Sequence, residues 1–177
     1  MTTAIATTPQ EVRVTRAATP AWAAVAAWGA GLMEFALGAG AMTDGAGRGA
    51  GVILIVLGAA SLVWGTMTLV RGRLVVPRTG VAGALTGIGV VVAAFSLDPA
   101  RTSIAAVGAA VVLLIAVGVA AARQMRRPAD AAAPRIAVLM IAAIVVAGLV
   151  TPALGATEAG RLAPDHGSHG VVDPGHH

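Results

Sequence analysis

Five long apolar blocks alternate with short polar breaks along this chain, at residues 21–42, 50–70, 79–97, 99–122 and 135–155. Each is close to the ~20 residues that an α-helix, rising ~1.5 Å per residue, needs to cross a hydrocarbon core of ~30 Å. The pattern predicts an all-α, polytopic transmembrane helical bundle of five spans. A membrane domain over 20–157 then lies between two flexible tails, 1–19 and 158–177.

The breaks carry recognisable punctuation. Pro20 opens the first block, and Asp44, Gly45, Gly47 and Arg48 form a polar turn after it. The second block ends at Arg71-Gly72-Arg73, and Pro77 with Arg78 precedes the third. Asp98-Pro99 has the form of a helix start, a capping carboxylate followed by proline at the first helical position, so spans three and four are expected to form a tight hairpin. Pro128 and Pro134 bound the fourth linker, and Pro152 is expected to kink or end the last turn of span five. Ala39-Gly40-Ala41 resembles a signal-peptidase site, but the block before it exceeds the ~7–15 apolar residues of a signal peptide and contains an acid, which favours a retained helix.

Arginines near span ends set the orientation, because basic residues are held on the cytoplasmic side. With the N-terminus inside, the inner segments carry Arg13, Arg16, Arg71, Arg73, Arg78, Arg123, Arg126, Arg127 and Arg135. Only Arg48, Arg101 and Arg161 fall outside. Nine against three predicts a cytoplasmic N-terminus, an extracytoplasmic C-terminus and residence in the plasma (inner) membrane of a bacterium. Trp22 fits an interfacial anchor near the inner end, whereas Trp28 and Trp64 lie deeper.

Composition agrees with the block pattern. Hydrophobic residues make up 57% of the chain, charged residues 11%, and mean hydropathy is +0.85. A net charge of +4 gives no case for nucleic acid, because the arginines punctuate apolar blocks and do not form one basic surface. Cysteine is absent, which excludes disulfides, thiolate metal sites and cysteine nucleophiles. No G-x-S-x-G, H-E-x-x-H or phosphate-binding loop occurs, so no enzyme activity is expected.

Two polar features stand apart. Glu34 is the only ionisable residue inside a span, and a carboxyl is costly to place there without a function or a partner. Ala26, Ala30, Glu34 and Gly38 share one face at four-residue spacing, with Ala27 and Gly31 beside it, so a neighbouring helix can come close. A backbone carbonyl, Thr66, Thr86 or Ser96 is the expected hydrogen-bond partner. Glycine pairs at four-residue spacing, Gly47/Gly51 and Gly83/Gly87, fit close helix packing. The triplet Leu-Gly-Ala recurs at 37, 57 and 154, as chance allows in a glycine- and alanine-rich chain.

The second feature is the C-terminal segment, which holds all four histidines, His166, His169, His176 and His177, with Asp165 and Asp173. Imidazole binds copper and zinc, so these residues form a candidate metal-capture tail on the outer side. Three functions follow as expectations. The first is a non-catalytic accessory subunit that packs against integral membrane partners through its small-residue faces. The second is copper or zinc handling by the histidine tail, with no other cofactor expected. The third is a small transporter or proton-coupled protein using Glu34.

Overall fold

The computed structural model describes residues 9–42, 47–100, 102–126, 136–157 and 161, with side chains from residue 20 onward. Five helices run through them: α1 Pro9–Ala41, α2 Arg48–Arg71, α3 Pro77–Leu97, α4 Ile104–Arg126 and α5 Ile136–Gly155. All five contain an apolar stretch long enough to span a bilayer. No strand occurs among the described residues. The chain is therefore an all-α, multi-pass integral membrane bundle.

Local chemistry explains most helix ends. Gly72 ends α2 in the left-handed region at φ 60°, its N–H donating to the Leu69 carbonyl, as glycine without a Cβ does readily. Pro77 sits in the first turn of α3, where a missing N–H sacrifices no helical bond. Val76 before it has φ 43°, a left-handed conformation that a β-branched residue rarely adopts.

Two helix starts differ from the sequence expectation. α1 continues back through Pro20 to Pro9. Thr8-Pro9-Gln10-Glu11 has the S/T-x-x-E spacing and the first-turn proline of a helix start. Within a helix, Pro20 removes one hydrogen bond without ending the run. Asp98 also does not start α4: its N–H donates to the Ala94 carbonyl, so it closes α3. The cap belongs to Ser103, whose Oγ accepts from the Ala106 N–H at 3.4 Å.

α1 lies at the centre, packed against each of the other helices. Two thirds of its span is buried, against 22% for α2, α3 and α5. This explains its alanine content, because Ala23, Ala24, Ala26, Ala27 and Ala30 form a narrow stem around which bulkier neighbours fit. The outer helices turn Val56, Val63, Leu85, Ile141, Ile144 and other large apolar side chains outward. Such faces suit lipid tails, since every backbone group within a helix is already hydrogen-bonded.

The α1–α2 pair is the closest seam. A Cβ at Gly31 would lie 2.8 Å from the Gly58 carbonyl oxygen, and one at Gly58 would lie 2.8 Å from that of Gly31. Gly38 and Gly51 repeat this reciprocal contact at 2.8 Å, and a Cβ at Gly65 would lie 2.9 Å from the Ala24 carbonyl. The contacts recur every seven residues on both antiparallel helices, the period that keeps one seam facing a partner.

Consecutive helices alternate in direction. One end of the bundle gathers Ala23, Trp64, Leu74 and Ala121 into a small cluster, beside the helix termini that carry Arg71, Arg78, Arg123 and Arg126. Arg73 lies in the α2–α3 connection at this same end, whereas Arg127 and Arg135 lie outside the described residues.

Candidate intramembrane carboxyl site

Glu34 is brought in by the central helix and is fully buried. Its backbone lies ~20 Å along the span from Pro20. Helical side chains lean toward the N-terminus, which carries the carboxyl back toward mid-depth. There Ser61 Oγ, from α2, donates to Glu34 Oε2 at 3.0 Å.

Three other elements shape the space. On α2, a Cβ at Gly58 would lie 3.3 Å from that of Glu34, so the glycine seam brings the acid against α2. On α3, a Cβ at Gly87 would fall 2.6 Å from Glu34 Oε1, so the missing side chain makes the notch that holds the carboxyl. On α4, Leu114 fills the rest of that notch, its methyls 3.0 and 3.2 Å from the same point. Oε1 has no hydrogen-bond partner among the described residues.

A cleft of ≈ 190 Å³ adjoins this site in the half of the bundle nearer the arginine-bearing end. Its walls include Ala27 and Ala30 from α1, Ser61 and Trp64 from α2, Thr79 and Gly83 from α3, and Leu114 and Val117 from α4. Ser61 thus lines the cleft and holds the carboxyl at once. Near the cleft's outer limit, Trp64 Nε1 donates to the Val75 carbonyl at 2.7 Å, tying α2 to the loop before α3. A second cavity of ≈ 200 Å³ lies at the opposite end, lined by Leu37, Val91, Asp98, Ser103 and Thr157 among others.

The expected small-residue face around Glu34 is present: Ala26, Ala27, Ala30, Gly31 and Gly38 are buried. The expected partners are not its partners. Thr66 and Ser96 hydroxyls donate to the Leu62 and Val92 carbonyls of their own helices, as hydroxyls within a helix commonly do. Thr86 is exposed. Sequence reasoning missed Ser61, whose signal was its place on the α2 face that carries Gly58 and Gly65. Of the four-residue glycine pairs, Gly51 serves the α1–α2 seam and Gly87 the carboxyl, whereas nothing lies within 4 Å of a Cβ at Gly83. His166, His169, His176 and His177 lie outside the described residues, as does any metal site they form.

Comparison of the chain with protein families, curated proteins and solved structures gives no match.

Proposed function

We propose that this protein is a small proton-coupled membrane transporter whose working group is the Glu34 carboxyl. The observation that carries the reading is a fully buried acid with one oxygen held by Ser61 and the other without a partner among the described residues. Its chemistry favours a proton over a metal ion. Calcium takes 6–8 oxygen ligands and magnesium an octahedral set, whereas among the described residues the hydrogen bond at the carboxyl comes from one hydroxyl, that of Ser61. The arginine-bearing end faces the cytoplasm of a plasma (inner) membrane in this reading, by the positive-inside rule. No covalent chemistry is involved.

The test is proton flux in proteoliposomes carrying a pH-sensitive dye. Wild-type protein is expected to dissipate an imposed pH gradient, alone or on addition of a transported solute, and Glu34→Gln to abolish that flux. Equal flux from both proteins sinks the proposal.

A second reading, an accessory subunit for integral membrane partners, has its own support. A Cβ added at Gly83, Gly89, Gly108 or Gly148 would meet nothing within 4 Å, so the outer helices offer backbone that another span can approach closely. Purification from native membranes in mild detergent tests it, and recovery without stoichiometric membrane partners counts against it.

A further inference from the structure

The two cavities at opposite ends of the bundle are unequal in their relation to Glu34. The cleft in the arginine-bearing half shares a wall residue with the site, because Ser61 both lines it and donates to Oε2. The opposite cavity ends at Leu37 and Val91. With Met33 and Leu54, these side chains form a buried apolar layer in the same core. Met33, Leu54 and Val91 are each 0% exposed, so apolar side chains lie between that cavity and Glu34 among the described residues.

Resting on the proton-exchange reading of Glu34, we infer that in this conformation, with the apolar layer closed, the carboxyl exchanges its proton on the arginine-bearing side, with Ser61 as the relay. The cleft volume of ≈ 190 Å³ is well above the ~10–15 Å³ that one water requires. A hydronium in the cleft gives a proton to Ser61 Oγ while the serine's own hydroxyl proton passes to Glu34 Oε2. Water, an intact serine and a neutral carboxyl result, so protons and charge balance. Release runs the same steps in reverse. The Met33, Leu37, Leu54 and Val91 layer closes the other side, and transfer across the membrane requires that layer to open.

The groups facing Glu34 leave few competitors for this role. Ser61 and Gly58 face it from α2, Gly87 from α3 and Leu114 from α4. No other ionisable residue occurs within residues 21–41, 49–70, 79–97, 102–122 or 136–157. A change in Glu34 protonation is therefore read without interference from a neighbouring charge.

An apolar carbodiimide tests the sidedness, because it enters through the bilayer and modifies carboxyls only when they are protonated. Full-length protein is reconstituted in liposomes, and its orientation is read from a single Arg126→Cys reporter labelled by an impermeant thiol reagent. The native chain has no cysteine to confuse the label. Glu34 modification, followed by mass spectrometry, is expected to fall at least tenfold when the pH is raised on the arginine-bearing side. Raising it on the other side is expected to leave modification unchanged. A Ser61→Ala protein is expected to keep the modification while losing most of its response rate to a pH jump.

Modification that follows the opposite side overturns the inference while leaving proton exchange at Glu34 intact. Modification that follows neither side overturns both. A Ser61→Ala protein that responds as fast as wild type removes the relay. In a companion measurement, Ala60→Cys on the exposed rim of the cleft is expected to react with the impermeant reagent from the arginine-bearing side. Failure to react, where Arg126→Cys does, shows that the cleft holds no water and overturns the route.

Discussion

Glu34 and Gly87 occupy one space between them: the carboxyl Oε1 of the first stands 2.6 Å from where a Cβ of the second would be. Glycine at 87 is thus part of the acid's seat, contributed by a helix that makes no hydrogen bond to it. Gly87→Ala is expected to push the carboxyl off Ser61 and destabilise the bundle by about 1–3 kcal/mol, the usual range for overpacking. In a Glu34→Ala background only the flexible Leu114 methyls, at 3.0 and 3.2 Å, have to give way to the added methyl, and its cost is expected to fall below about 1 kcal/mol. A double-mutant cycle on unfolding in detergent measures the coupling, and additive effects contradict the shared space.

Glycines elsewhere are expected to separate into two groups. At Gly31 and Gly58 a methyl meets a backbone carbonyl at 2.8 Å, which no side-chain rotation relieves. Gly31→Ala and Gly58→Ala are each expected to lower stability by about 1–3 kcal/mol. Gly83→Ala meets nothing within 4 Å and is expected to be neutral, or stabilising by up to about 1 kcal/mol from helix propensity. Thermal unfolding of the three purified variants checks this ordering. The accessory-subunit reading adds that Gly83→Ala loses a partner in native membranes while keeping full stability alone.

The loop before α3 holds a strained residue. Val76 sits at φ 43°, where an L-residue with a Cβ bears roughly 1–2 kcal/mol of steric cost. Glycine there is expected to raise the melting temperature, less the entropy it restores to the unfolded chain. The bond from Trp64 Nε1 to the Val75 carbonyl is one restraint that maintains the geometry. Trp64→Phe is expected to cost about 0.5–1.5 kcal/mol through that lost bond. A lower melting temperature for Val76→Gly than for wild type contradicts the strain argument.

Ser61→Ala separates holding from relaying. Loss of the hydroxyl leaves a buried carboxyl without its hydrogen bond, at an expected cost of about 1–3 kcal/mol. Ser61→Thr keeps a hydroxyl and is expected to restore proton exchange even if its extra methyl lowers stability. Flux and unfolding measured on both variants decide between the roles, and exchange that tracks stability alone assigns Ser61 a structural role only.

Much of the fold was legible because bilayer crossing imposes length and hydropathy on every span. The ends of α2 and α3 and the course of α5 agree with the expected blocks to within two residues, and Gly72 terminates α2 where the sequence has Arg71-Gly72-Arg73. Asp98 misled because a carboxylate before proline is a good helix start, yet the preceding helix runs on to Leu97 and uses Asp98 as its own end. Which glycines meet was less legible. Four-residue pairs drew attention, whereas the closest seam runs at seven-residue spacing along Gly31 and Gly38, and along Gly51, Gly58 and Gly65. Two of the recurring Leu-Gly-Ala triplets, at 37 and 57, place their glycines in that seam.

The acid itself was legible, since an ionisable residue in an apolar block is conspicuous. Its partner was not, because pairing Glu34 with Ser61 depends on the register of two antiparallel helices and on the lean of a glutamate side chain. Thr66 and Ser96, nearer to hand as candidates, satisfy their hydroxyls on their own helices.

Infrared difference spectroscopy of the reconstituted protein tests most directly whether Glu34 exchanges a proton. Spectra at acid and alkaline pH, wild type minus Glu34→Gln, isolate the carbonyl stretch of this one carboxyl. A protonated-carboxyl band that grows on acidification in wild type and is missing from Glu34→Gln is the predicted result. A band or a baseline that stays constant over the whole pH range at which the protein remains folded contradicts the account.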